Sequence, residues 1–266
     1  MHTHQTVSNR DIVAVANKVL GTSYLRYQDL EAVMHGVKDR LHAQWIGSGC
    51  TDFSVYKDPQ YVYEGINCFE KTRNCTGGAI AYFQRIKPGN VQGRRLIDTR
   101  TQPGFPYPGP PVEELTCIDV YSGVGLTTAH LIKNGFNVES FNDNAAQIEF
   151  MRVAVKMLAG KEVVNHTKLP RKKYDIAFSL EVLEHYPEPL EHVQDLIALI
   201  KPGGYLVESS GFNGSSENIG HFETYTIAGE TVGFREARRA VSKAIEARFD
   251  KVYDGFNRMP KIWKLR

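Results

Sequence analysis

Residues 117–143, CIDVYSGVGLTTAHLIKNGFNVESFND, constrain the fold more than any other stretch. Ile118, Asp119 and Val120 open it as a strand. A tight turn follows, Tyr121-Ser122-Gly123-Val124-Gly125, and Leu126 to Asn134 has the pattern of a short helix stopped by Gly135. A second strand, 137–141, runs into Asn142-Asp143. Strand, glycine turn, helix and strand in this order make a unit that binds nucleotides, with the ribose at the end of the second strand. Gly123 and Gly125 let backbone approach a ligand where a side chain would block it. A Gly-x-Gly turn also serves purely steric needs in many proteins. Thr128 stands where the dinucleotide pattern has its third glycine, which counts against NAD and FAD.

At 266 residues the chain has room for one large α/β domain and an appendage. Its 32 basic and 30 acidic residues leave a formal net charge of +2, so the chain as a whole is not a polyanion binder. Arg94-Arg95 and Arg171-Lys172-Lys173 read as solvated surface. The four cysteines, at 50, 68, 75 and 117, form no C-x-x-C pair, which argues against a zinc site or a redox dithiol. Cys117 begins a strand and belongs to the core. The N-terminus lacks a basic region followed by an apolar core, and no apolar run approaches 18 residues. A reduced, cytoplasmic protein without a membrane span is expected.

Residues 9–20 and 28–45 have helical spacing. Leu30, Val33, Met34, Val37, Leu41 and Trp45 fall on one face of the second, as core packing requires. Residues 46–58 read as a loop, and a helix is expected over 76–86. The aromatics Tyr61, Tyr63, Phe69, Tyr82 and Phe83 either line a pocket or glue a helical cap to the main domain. Residues 99–112 hold five prolines and two glycines, which exclude helix and inner strand, so they read as the connection from cap to main domain. Beyond 113 the pattern alternates. Strands are expected at 116–121, 137–142, 162–165, 174–179, 204–210, 249–256 and 261–265, and helices at 126–134, 145–158, 188–200 and 234–247. Such alternation means a parallel sheet with helices on both faces. The last two strands have no helix between them and are expected to pair as an antiparallel edge hairpin. Two units follow: a mainly helical cap over 1–112, helping to close an acceptor pocket, and a ligand-binding domain over 113–266.

Residues 173–210 carry Tyr174-Asp175-Ile176, then Leu183-Glu184-His185, then Lys201-Pro202-Gly203-Gly204, with Leu169-Pro170 upstream. Together with IDVYSGVG they resemble the class I S-adenosylmethionine-dependent methyltransferases, nearest to the ubiquinone-biosynthesis-type small-molecule branch, over about residues 115–265. The resemblance implies a Rossmann-like, seven-stranded, mostly parallel sheet and S-adenosyl-L-methionine as cofactor. It implies that Tyr121, Ser122, Gly123 and Gly125 pass under the methionine part, braced by Asp119. Residues at the end of strand two, Asn142, Asp143 and Asn144, would hold the ribose. Asn165 and His166 would flank adenine, and Ser179, Leu180 and Glu181 would line the methyl-transfer face. The chain departs from the family where amides, Asn142 and Asn165, replace two acids. Either Asp143 takes over the ribose or the cofactor binds less tightly.

Methyl transfer from a sulfonium mainly needs positioning; a base helps where an OH or NH must lose a proton. The candidates for that base are His185 and His221, the second in a Gly-, Ser- and Asn-rich loop over 211–233 that can act as a lid. Each has a plain reading too, as a loop-ordering residue for His185 and an exposed loop residue for His221. Glu181, Glu184 and His185, with His221 as fourth ligand, would suit a divalent ion, an arrangement used by some ubiquinone-type enzymes and the similar small-RNA 3′-end methyltransferases. The favoured expectation is that no metal binds. The favoured activity is methyl transfer to O or N of a small-molecule acceptor. Metal-assisted RNA methylation and a non-catalytic binding module are the alternatives, with nucleic acid not favoured as partner. The residues leave the acceptor and the oligomeric state open.

Overall fold

The computed structural model describes residues 5–85, 107–214, 218–254 and 260–266. Most of the proline-rich connection therefore lies outside the described residues, as does the turn between the last two strands. Three helices come first: α1 (Asn9–Leu20), α2 (Tyr27–Gly47) and α3 (Tyr61–Phe83), with a 3-10 turn over Phe53–Lys57. Then come β1 (Thr116–Val120), α4 (Leu126–Lys133), β2 (Asn137–Phe141), α5 (Ala145–Ala159), β3 (Asn165–His166) and β4 (Tyr174–Leu180). After a 3-10 turn at Leu183–His185 follow α6 (Pro189–Leu199), β5 (Ile200–Ser209), β6 (Thr224–Ile227) and β7 (Glu230–Gly233). The chain closes with α7 (Phe234–Glu246), β8 (Phe249–Asp254) and β9 (Lys261–Leu265).

Seven strands form one sheet in the order β3-β2-β1-β4-β5-β9-β8. The first five are parallel, and β9 pairs antiparallel with both β5 and β8. The order reverses at β1, between β2 and β4, which places the ligand crevice of an open parallel sheet at the carboxyl ends of these strands. Among the described residues no helix is long and apolar enough to cross a membrane.

Ser8 and Asp11 close a reciprocal capping box on α1. On α2 the expected stripe is buried at Leu30, Met34, Val37, Leu41 and Trp45. Its apolar cluster continues into Val124, Leu126, Phe150 and Ala154 of the sheet domain. The far end of α3 joins a second cluster through Ile80, Tyr82 and Phe83, against Phe136, Phe178 and Tyr205. So α3 is one helix of 23 residues rather than the shorter segment expected at 76–86. Its aromatics and internal glycines are poor helix formers, but burial along most of its length outweighs propensity.

The loop expected over 211–233 instead contains the β6–β7 hairpin. Ala228 (φ 52°) and Gly229 (φ 84°) both take positive φ at its tip, as a primed two-residue turn requires. Strand three is shorter than expected and lies at 165–166, and strand five starts earlier, at Ile200.

At the sheet edge Glu139 accepts hydrogen bonds from Lys172 and the Tyr174 hydroxyl and lies 2.8 Å from His166 Nε2. Partial burial alone would raise its pKa, but these three partners outweigh it and hold the carboxyl down at about 2. A depressed folded pKa contributes stability above the ordinary glutamate value of about 4.3 and loses it as pH falls through about 2. Glu139→Gln is therefore expected to cost on the order of 1 kcal/mol at pH 7, after solvent screening. The gap between variant and native protein should close as pH drops from about 5 to about 2. Urea unfolding across that range checks it; a gap that is constant with pH refutes the assignment.

Candidate active site

The turn after β1 is built from unusual backbone. Tyr121 takes φ 53° without being glycine, and Gly123 and Gly125 take 53° and 72°. A non-glycine residue held in that region is a common mark of a functional site. The two glycines serve different ends. A Cβ on Gly125 would sit 2.1 Å from Met151 Cγ, so that glycine lets α5 pack against the turn. A Cβ on Gly123 would meet nothing within 4 Å, and Gly123 lines a cavity of about 490 Å³.

Around this cavity lie Asp119, Tyr121 and Ser122 from the first turn, with Asn142, Asp143 and Asn144 after β2. Leu180, Glu181 and His185 close it from the end of β4. Asp119 is buried and accepts a 2.6 Å hydrogen bond from Thr128 Oγ1. Burial pushes its carboxyl up to about 7 against that hydrogen bond. Asn142 is 2% exposed and makes three side-chain hydrogen bonds. Its Nδ2 donates to Gly123 O (2.8 Å) and Gln147 Oε1 (3.1 Å), and its Oδ1 accepts from the Asn144 N–H (3.0 Å). Asn142 thus braces the glycine turn, while the neighbouring Asp143 is exposed to the cavity. Asn165 is likewise internal: it donates to Asn142 O and its Oδ1 accepts from Ser140 Oγ. His166 turns to Glu139. Asn165, His166, Ser179 and Gly125 do not line this cavity.

Beyond β4 the chain kinks at Glu181 (φ 55°) into the 3-10 turn. Glu184 is 0% exposed, and its Oε1 accepts from the Gly211 N–H at 2.9 Å. Burial, reinforced by Glu181, holds its carboxyl well above the usual range. The rings of His185 and His221 are 4.9 Å apart, edge to face. Burial and the nearby His221 push His185 down to about 3; burial pushes His221 down to about 4. One donor atom each from Glu184, His185 and His221 lies within 4.8 Å of the other two. One carboxylate and two neutral imidazoles suit manganese, zinc or iron. His221, read as a candidate from its loop, is buried rather than exposed.

A second cavity, of about 650 Å³, opens on the other side of this cluster and contains His221. Tyr61, Cys68, Glu181 and His185 line both cavities and form the wall between them. The N-terminal helices contribute more than the sequence signalled. Tyr56 places its hydroxyl 2.9 Å from His185 Nδ1, and its carbonyl accepts from Asn144 Nδ2. Phe53, Tyr61 and Phe69 line the first cavity, so the aromatic run supplies both pocket wall and core.

The chain is similar to known methyltransferases. A ubiquinone biosynthesis O-methyltransferase of Bordetella avium is 27% identical over 155 residues, covering 58% of this chain and 54% of that protein. One from Haemophilus ducreyi is 31% identical over 98 residues, covering 34% and 36%. The chain thus spans about half or less of the length of these curated relatives. Among solved structures, an O-methyltransferase family protein from Burkholderia thailandensis aligns with a TM-score of 0.41 at 14% identity, covering 58% of this chain and 54% of that one. The N-methyltransferase NodS from Bradyrhizobium japonicum, in complex with S-adenosyl-L-homocysteine, aligns at 0.39 and 13% identity, covering 56% and 77%. The first cavity has room and chemistry for S-adenosylmethionine: backbone is bare at Gly123, where an added Cβ would stand in open space, and carboxylate and amide groups follow β2. A family model for the methyltransferase domain matches residues 90–240, over half the chain, so the protein belongs to that family, with S-adenosylmethionine as cofactor.

Proposed function

We propose that this protein transfers the methyl group of S-adenosylmethionine to an O or N atom of a small polar acceptor. The observation that supports this most is the meeting of two cavities at one wall. The glycine turn and Asp143 lie on the first side, a polar chamber on the second, and Glu181 and His185 between them. A sulfonium is an excellent leaving group, so the residues' work is to hold donor and acceptor in line. His185 and His221, neutral at pH 7, can accept a hydrogen bond from the acceptor's OH or NH and orient its lone pair toward the methyl group. Buried walls from Tyr61 and Phe69 keep water from the sulfonium side. Calorimetry with S-adenosylmethionine, followed by incubation of methyl-labelled cofactor with a metabolite extract, tests the reading. Cofactor binding with no labelled product would favour a binding module, and a labelled RNA fraction would favour the nucleic-acid alternative.

A second reading adds a divalent ion at Glu184, His185 and His221, on the strength of their 4.8 Å clustering. Such an ion would supply a Lewis acid that lowers the pKa of an acceptor hydroxyl. Metal analysis of the purified protein, with and without Glu184→Gln, decides this.

For the ribose, Asp143 is the residue we assign, since it is a charged acceptor exposed to the cavity, whereas Asn142 is buried with both amide hydrogens and one lone pair of its oxygen already engaged. A hydrogen bond to a charged group is worth about 1.5–3 kcal/mol, so Asp143→Ala is expected to weaken cofactor binding by tenfold or more. Asn142→Ala should act through the turn instead, lowering the melting temperature together with affinity. An affinity unchanged in Asp143→Ala, measured by calorimetry, removes the assignment.

A further inference from the structure

The second cavity has a chemical character that the first lacks. Four cationic side chains line it, each from a different element: Lys38 on α2, Lys71 on α3, Arg238 on α7 and Lys261 on β9. Among the described residues none of the four closes an ion pair with a carboxylate. Lys71 has Asn218 Oδ1 at 3.5 Å, a long contact, as its described hydrogen-bond partner. Three carboxyl groups share the lining, and among the described residues none of them is within ion-pair distance of these cations. Glu64 is engaged by Asn67 Nδ2 and Cys68 Sγ. Glu181 lies beside Gly211 next to Glu184, on the histidine side. Glu208 is buried, with Lys261 and Arg238 near it but outside ion-pair distance. Four cations, from two helices of the cap and two elements of the sheet domain, line this polar chamber against three carboxyl groups, and burial pushes one of these, Glu208, toward its neutral form, so a positive surplus is left that favours an anion.

We propose that the second cavity recognises an acceptor carrying an oxyanion, a phosphate or a carboxylate, next to the atom that is methylated. This rests on the reading that this cavity receives the acceptor. Lys71 on the cap and Arg238 on the sheet domain both hold the oxyanion. The acceptor's neutral end then faces the wall at Glu181 and His185, behind which the methyl donor lies. Because both units contribute a cation, the grip also ties the cap to the sheet domain when acceptor is bound. A chamber of about 650 Å³ suits a small molecule rather than a polymer strand.

Calorimetric titration of the full chain with inorganic phosphate, with malonate and with a short single-stranded RNA, at constant ionic strength, tests this. The expected result is saturable binding of phosphate or malonate, the tighter of the two naming the oxyanion. Lys71→Gln and Arg238→Gln should each weaken it about tenfold. Affinity for S-adenosylmethionine, measured in parallel, should be unchanged in both variants and shows that they are folded. Failure of both oxyanions to bind overturns the proposal, as does binding that both substitutions leave intact. RNA binding far tighter than that of either small anion also overturns it. Should the native chain fail to bind S-adenosylmethionine, the methyltransferase reading falls, while the oxyanion site is decided by its own titration.

Discussion

Gly123→Val is expected to abolish measurable binding of S-adenosylmethionine, a loss of at least 100-fold, while the protein stays folded. Two costs combine. At φ 53° a β-branched residue is strained by about 1–2 kcal/mol relative to glycine. The added side chain also occupies space at the cavity wall, where an added Cβ now meets nothing within 4 Å. The open surroundings mean that the fold itself has little to rearrange. Gly125→Ala makes the contrast, because its new methyl would collide with Met151 at 2.1 Å and must push α5 away from the turn. That variant should lose stability first, by several degrees of melting temperature, with affinity following. Calorimetry and thermal melting on both variants separate the two glycines. A folded Gly123→Val protein that binds the cofactor as before would show that the cavity at this turn is not the cofactor site.

Much of this was legible in the residues because the alternating half of the chain obeys local rules. The 117–143 stretch and the apolar runs near 174–180 and 261–265 name their strands directly, and the alternation with helices gives a mostly parallel sheet. What escaped was set by distant contacts. Aromatic-rich 61–75 reads poorly as helix, yet it is buried as the first half of α3, tight enough that a Cβ on Gly65 would meet Val124 at 2.6 Å. The β6–β7 hairpin was hidden because Ala228 holds a positive-φ position usually marked by Asn or Gly. Asn142 shows the subtler limit. Resemblance places it on the ribose acid, and its three hydrogen bonds, which tie it to the glycine turn, to Gln147 and to Asn144, are not legible in the sequence. Tyr56 reaches His185 across 129 positions of sequence, and no periodicity or motif encodes such a contact.

The second large effect is expected at His185. His185→Ala should lower the rate of methyl transfer by about 10²–10⁴-fold, whether the imidazole acts as a hydrogen-bond acceptor for the reacting group or as a ligand to an ion. His185 lines both cavities and stands beside His221; on the proposed function its ring meets the acceptor. Cofactor affinity should therefore change little, which distinguishes this residue from Gly123 and Asp143. A loop-ordering role would instead appear as a lower melting temperature and a raised KM with kcat preserved. Tyr56→Phe supplies the finer test. It deletes only the hydroxyl that lies 2.9 Å from His185 Nδ1, and the stacked contacts with Phe53 and the edge contact with Tyr61 remain. If that hydroxyl orients the ring, Tyr56→Phe should lower kcat by about 10-fold with KM for S-adenosylmethionine unchanged. Combining it with His185→Ala should then add nothing further, since the partner it positions is already gone. Independent, multiplying effects of the two substitutions would show that Tyr56 acts on the cofactor side of the wall and that His185 is oriented by other contacts.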